Sequence, residues 1–287
     1  VTDISLVNGT LSSFATVNTN IYTATFTPDG DGSCNINIAA NKFTDINGNN
    51  NSASSFSWSS DTSYPLMSIS AKDPNENDVN RGATTNDSYL KLTFTSNETT
   101  SNFDESDITV TDFFGNTING LIGTFLGSGT TYTARFSPTQ DGTYQISVAG
   151  GAFTDTGGNP NMIDTFTWTR DTTDLTMMIS ATNLNGITPI TSGSTTNDAS
   201  IALTFISSNA TNDFIATDIS VTNGSISNFS GSGTTYSATF TPTATGATTI
   251  DVAGSKFTDA AGNNNSAATR FNWTYDNVPL TMAIRST

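Results

Sequence analysis

The chain has no histidine, and that absence removes Ser-His-Asp and Cys-His relays as well as His-ligated zinc. It has a single cysteine, Cys34, so there is no intrachain disulfide and no Cys-x-x-Cys metal site. Cys34 falls within a predicted strand and reads most simply as a small buried apolar group. Lysine and arginine total only 9 against 25 acidic residues, a net charge of −16. Nine scattered cations cannot build the basic footprint that nucleic acid or an anionic membrane requires. Charged residues make up just 12% of the chain, so its polarity comes from Asn, Thr, Ser and Gly. No apolar run approaches the roughly 20 residues needed to span a bilayer. The sequence opens on Val1, with no visible signal peptide, as expected for a piece of a longer or processed polypeptide.

What is present is a repeat. Lys42-Phe-Thr-Asp-Ile-Asn-Gly-Asn-Asn-Asn51 returns as Ala152-Phe-Thr-Asp-Thr-Gly-Gly-Asn-Pro-Asn161 and as Lys256-Phe-Thr-Asp-Ala-Ala-Gly-Asn-Asn-Asn265. Trp58, Trp168 and Trp273 keep the same step, as do Tyr22, Tyr132 and Tyr236. A period of about 105–110 residues is too long for a solenoid turn or a propeller blade and matches a whole domain. The predicted organisation is a truncated repeat at 1–64, full repeats at 65–173 and 174–278, and the first strand of a further repeat at 279–287. Within a repeat, segments such as Ile201-Ala-Leu-Thr-Phe205 and Tyr236-Ser-Ala-Thr-Phe240 alternate with period two. Turn signals such as Asn223-Gly224 separate them, and Pro242 blocks ladder continuation. No 3.6-residue stripe lasts two turns. About seven short strands in about 105 residues is the count of an Ig-like β-sandwich, so the expected fold is all-β, tandem Ig-like sandwiches as beads on a string. The tryptophans and the Tyr-x-Ala-x-Phe strands are expected in its core.

The succession Asp-Ile-x-Val, Asn-Gly, Tyr-x-Ala-x-Phe-(Thr/Ser)-Pro and Phe-Thr-Asp-x-x-Gly-Asn-x-Asn resembles the bacterial Ig-like repeats of giant surface adhesins. The likeness covers essentially all 287 residues. Repeat two departs from it, carrying Asp112-Phe-Phe-Gly-Asn116 where the others have Asn-Gly, so a longer hairpin is expected there. The resemblance implies extracellular stalk modules, often rigidified by calcium, that hold a separate binding head.

Candidate chemistry lies in the oxygen-bearing side chains. Calcium takes six to eight oxygens, and the box offers one carboxylate and two amides: Asp45, Asn49 and Asn51; Asp155, Asn159 and Asn161; Asp259, Asn263 and Asn265. Linker acids Asp61, Asp171 and Asp276 follow each box, and Asp87 and Asp198 precede the strands holding Leu92 and Leu203. The expectation is a structural Ca2+ at the domain junctions, with Asp155 and Asp171 sharing an ion. The same box is also ordinary turn chemistry, because Asx side chains cap turns and Gly accepts positive φ. Expected partners are the neighbouring repeats, and copies of the chain in a filament; nucleic acid and membrane insertion are not expected. A carbohydrate- or ligand-binding Ig-like module of a secreted protein is the alternative, and a solvent-facing aromatic row or a concave sheet unique to one repeat would favour it. Catalytic carboxylates are rarely triplicated in identical positions, so no enzyme is expected.

Overall fold

A computed structural model describes residues 2–285. It contains two compact units, residues 1–81, 89–137 and 145–167 in the first and residues 82–88, 138–144 and 168–287 in the second. Regular structure among the described residues is β-strand, apart from two three-residue 3-10 turns at Glu105–Asp107 and Ala216–Asp218.

The first repeat contributes β1 (Ile4–Val7), β2 (Gly9–Asn18), β3 (Ile21–Pro28), β4 (Gly32–Ile38) and β5 (Ser54–Ser60). These form a three-stranded sheet β1-β4-β5 and the hairpin β2-β3. The second repeat contributes β6 (Met67–Lys72), β7 (Asp78–Val79), β8 (Thr84–Thr85), β9 (Leu90–Ser96), β10 (Ile108–Asp112), β11 (Ile122–Ser128), β12 (Thr131–Phe136), β13 (Gly142–Val148) and β14 (Asp164–Arg170). Its sheets run β11-β12-β9-β6-β7 and β10-β13-β14-β8. The third contributes β15 (Met177–Asn183), β16 (Pro189–Ile190), β17 (Thr195–Thr196), β18 (Ile201–Thr211), β19 (Ile219–Thr222), β20 (Gly224–Pro242), β21 (Gly246–Val252) and β22 (Phe271–Tyr275). Its two four-stranded sheets are β16-β15-β18-β20 and β17-β22-β21-β19.

The alternating residues fill the core between the third repeat's sheets. Ile201, Leu203 and Phe205 of β18 lie opposite Phe240, Ala238 and Tyr236 of β20, and all six are buried. Phe214 is the hub of a ring cluster, with centroids of Phe205, Phe229, Tyr236 and Phe257 at 4.9–5.6 Å. Repeat two builds the same cluster around Phe103 with Phe94, Phe125, Tyr132 and Phe153 at 5.0–5.7 Å. Its β12–β9 register is also the same, Tyr132, Ala134 and Phe136 facing Phe94, Leu92 and Leu90. Trp168 and Trp273 are fully buried, whereas Trp58 in repeat one is half-buried. Cys34 is buried opposite Trp58 in the β4–β5 register.

Asn-Gly plays a different part from the expected glycine turn. Asn223 itself takes the left-handed conformation (φ 52°). Gly224 lies under the Phe240 ring, where an added Cβ would stand 2.3 Å from Cζ. Asn8, Gly9 and Phe26 repeat this arrangement. The longer hairpin of repeat two is observed: Asp112–Asn116 closes a turn that leaves Phe113 and Phe114 exposed. Leu280 to Arg285, expected as part of a first strand, form no regular strand. Ser286 and Thr287, the end of that expected strand, lie outside the described residues.

Candidate junction site

The box folds as a hydrogen-bonded turn. Asp45 Oδ1 accepts the N–H groups of Asn47 and Asn49, and its Oδ2 accepts the Asn49 amide. Gly48 takes φ 85°, a conformation that favours glycine. Asp155 with Asn159, and Asp259 with Asn263, close the same way. Asp73 with Asn77 and Asp112 with Asn116 also do so, outside the box. The Asp…Asn spacing is therefore turn chemistry wherever it occurs.

The third box residue staples the loop. Asn265 Oδ1 accepts the N–H groups of Lys256 and Phe257, and its amide donates to the carbonyls of Ala253 and Ser266. Asn161 accepts from Phe153 and donates to Ala149 and Met162. Asn51 has the equivalent four bonds. The amide oxygens expected to face a cation are thus committed to backbone N–H groups.

Asp87 and Asp198 serve the buried indoles. Trp168 Nε1 donates to Thr85 Oγ1 at 3.0 Å, and that hydroxyl donates to Asp87 Oδ2 at 2.7 Å. Trp273, Thr196 and Asp198 form the same chain at 3.1 and 2.6 Å. A buried N–H needs an acceptor, and each carboxylate orients the hydroxyl that supplies it.

Linker acids meet the box of the following repeat, and Asp155 is placed with Asp61 of the preceding linker. The Asn159 amide reaches the Asp61 carbonyl at 3.1 Å, and the Asn263 amide reaches the Asp171 carbonyl at 3.0 Å. A Cβ on Gly157 would stand 2.6 Å from Asp61 Oδ2 and 3.0 Å from its Cβ, so this close approach requires glycine. In the second unit, Asn86 N–H donates to the Ala261 carbonyl at 3.0 Å. Asp276 Oδ1 accepts Val278 N–H, and no later box follows it in the chain.

Asp61 and Asp155 are joined by Glu98, a residue the repeat pattern does not mark. Ligand oxygens of the three lie within 4.8 Å of one another, with Asp155 buried. Desolvation pushes the Glu98 carboxyl above its ordinary range, helped by its hydrogen bond with Asp155 and the charges of Asp61, Asp155 and Asp31. For Asp155, burial opposes ionisation but is outweighed. The backbone N–H and amide of Asn159, Glu98 and the Gly158 N–H together hold it below the ordinary carboxylate range. Of the two carboxyls, Glu98 is thus the one that holds a proton more readily. Asn209 occupies Glu98's register position in repeat three, 111 residues on. Among the described residues, this is the one group of three acids spaced so closely.

A pH dependence follows. Glu98 binds its proton more tightly folded than unfolded, so stability rises as pH falls from neutral through its raised pKa toward 4.5. The contribution of Asp155 has the opposite sign: it is present above 3.8 and is lost as pH falls from there through its lowered folded value. In chelator, the melting temperature of this junction is expected to rise as pH is lowered from neutral toward 4.5, and the Glu98→Gln variant is expected to lack that rise. Identical pH profiles for the two proteins would contradict a raised Glu98 pKa.

Two surface depressions were inspected for chemistry. One of about 360 Å3 lies beside the repeat-two hairpin and has Glu105 as its single carboxylate; the other, of about 310 Å3 near Met177 and Arg270, has none.

The family comparison now bears on this geometry. A model described as bacterial Ig-like domain matches three times, over residues 1–64, 61–174 and 171–275. The chain belongs to the bacterial Ig-like domain family. These Ig-like repeats are similar to several solved structures at low identity. The C-terminal domain of the Streptococcus agalactiae AgI/II polypeptide BspA is 8% identical, with a TM-score of 0.33, covering 73% of this chain and 99% of that one. Invasin, described as a bacterial integrin-binding protein, is 16% identical, with a TM-score of 0.34, covering 86% of this chain and 48% of that one. The I67–I69 fragment of titin is 8% identical, with a TM-score of 0.34 and coverages of 96% and 88%. Comparison with curated proteins gives no match. No helix among the described residues is long and apolar enough to cross a membrane.

Proposed function

We propose that these Ig-like repeats are a non-enzymatic spacer segment of a bacterial surface adhesin, part of an extracellular stalk or filament whose repeats are locked at their junctions. The reading rests on one observation above the others: the box amide of a repeat grips the linker carbonyl of the repeat before it, at Asn159–Asp61 and again at Asn263–Asp171. A spacer transmits force only if its junctions resist bending, and a bond repeated at equivalent positions supplies such resistance. The acidic surface keeps neighbouring stalks soluble and apart.

Calcium belongs to this proposal at the first junction. Oxygens on one Ca2+ lie at 2.3–2.6 Å from it, hence within about 5 Å of each other. The oxygens of Asp61, Glu98 and Asp155 meet that limit, so the donor set fits a hard divalent cation. Binding would remove the repulsion among the three carboxylates. At 100 times its dissociation constant, calcium would stabilise the folded junction by about 2.7 kcal/mol. Calorimetry should show one melting transition rising in calcium, less in magnesium, and no rise in Glu98→Gln. A wild-type melting profile unchanged by calcium would remove the cation from the account.

The ligand-binding alternative has one observation in its favour, the exposed Phe113 and Phe114. Their rings stand at 83° to each other, edge to face, which gives no flat platform for a sugar.

A further inference from the structure

Five Asn-Gly pairs occur in the chain, beginning at Asn8, Asn47, Asn119, Asn185 and Asn223. In such a pair the backbone nitrogen of glycine can reach the preceding side-chain amide, because no Cβ blocks the approach. Whether it does so depends on what holds the two groups. Four of the pairs are held. Asn8 and Asn223 take the left-handed conformation, at φ 56° and 52°. Their amides donate to the carbonyls of Gly30 at 3.0 Å and Ala244 at 2.8 Å, and the glycines that follow lie under the Phe26 and Phe240 rings. In two further pairs the attacking N–H itself is engaged. Gly48 N–H donates to the Asp45 carbonyl at 3.0 Å, and Gly186 N–H to the Asn183 carbonyl at 2.9 Å.

Asn119 and Gly120 differ on each count. Both are exposed, and they lie outside regular structure, between the bridge residue Thr117 and β11. No hydrogen bond among the described residues holds the Asn119 amide or the Gly120 N–H. A Cβ on Gly120 would meet nothing within 4 Å, so the backbone has space to turn. Both residues line the depression of about 360 Å3 beside the longer hairpin that only repeat two carries.

We infer that Asn119 is a self-modification site, which loses its side-chain amide through a cyclic imide formed with Gly120. The Gly120 nitrogen gives up its proton and bonds to Asn119 Cγ. The Cγ–Nδ2 bond breaks, and ammonia leaves with that proton. Water then opens the imide. Addition at Cγ leaves aspartate, and addition at the main-chain carbonyl leaves isoaspartate; no oxidant or reductant enters. Either product adds a carboxylate to a lining that holds Glu105 alone, and makes the chain one unit more negative than its −16. Isoaspartate also adds a methylene to the main-chain path of the loop. An aged chain therefore differs from a new one in charge and loop shape at repeat two, while the staples and cores of the repeats are untouched. The inference holds whether or not the chain serves as a spacer.

Incubation of residues 1–287 at mildly alkaline pH, folded and in urea, tests this, with each asparagine followed by peptide mass spectrometry. In the folded chain Asn119 is expected to be modified first, at a rate within about twofold of its rate in urea, because no local opening has to precede the reaction. Asn8 and Asn223 are expected to be slowed at least about tenfold by folding, since their hydrogen bonds must break before the imide can close. The folded Asn119→Gln chain, whose longer side chain closes the ring far more slowly, should lack the first acidic species on ion exchange. Three results would each overturn the inference: Asn119 slowed by folding as much as Asn223, another asparagine modified ahead of it in the folded chain, or the first acidic species unchanged in Asn119→Gln.

Discussion

Asn265→Ala is expected to lower the melting temperature of the third repeat by at least about 12 °C. Asn265 is 2% exposed and ties Lys256, Phe257, Ala253 and Ser266 into one loop. Alanine leaves two N–H groups and two carbonyls without that partner, and the Phe257 N–H is buried beside its own ring. Each buried polar group left unpaired costs about 1–3 kcal/mol, and water satisfies the outer ones, giving about 3–5 kcal/mol in all. A domain of this size loses about 4–8 °C per kcal/mol. Asn51→Ala removes the same bonds from a half-buried site in the open first repeat, so it should cost about 1 kcal/mol. Calorimetry of the two variants side by side measures the contrast. Equal shifts would mean that the staple acts only within its own loop.

Trp273→Ala is expected to destabilise the third repeat by about 3–5 kcal/mol, the usual cost of truncating a fully buried large aromatic. The ring packs edge-on against Phe240 with centroids 6.0 Å apart, and its indole N–H ends on Thr196. Its loss opens a cavity and leaves the Thr196–Asp198 pair without its donor. Trp58→Ala removes an equivalent ring that is half-buried, and should cost less than about 1.5 kcal/mol. Urea unfolding of each variant, followed by the fluorescence of the remaining tryptophans, reads the difference. A large Trp58 effect would show that the first repeat's core is more closed in solution than Trp58's half-buried position implies.

Most of the fold is legible in the sequence because it is written three times. The period-two strands, the tryptophan step and the Phe-Thr-Asp box each recur at one spacing, and the structure builds the same β12–β9 and β18–β20 registers from them. The aromatic hubs Phe103 and Phe214 escape a strand-based reading because each sits in a loop among polar residues. Their spacing of 111 residues, matching Leu90 to Ile201, is the signal that finds them. The candidate site is less legible. Glu98 does not recur, since Asn209 takes its place, and repetition was the criterion for choosing residues. The box asparagines do recur, but for the loop: the oxygens of Asn51, Asn161 and Asn265 accept backbone N–H groups, and the amides of Asn49, Asn159 and Asn263 donate to the box aspartates. The linker acids recur as well, and spacing along one chain gives no sign that each belongs to the following repeat's box. That is a matter of tertiary contact.

The central claim, a spacer whose first junction is clamped through Asp61, Glu98 and Asp155, is tested most directly by small-angle X-ray scattering of residues 1–287. With calcium the account predicts a longer maximum dimension and a narrower spread of conformations than in chelator, and no such change when Glu98→Gln is added. Superimposable curves in calcium and in chelator would contradict it.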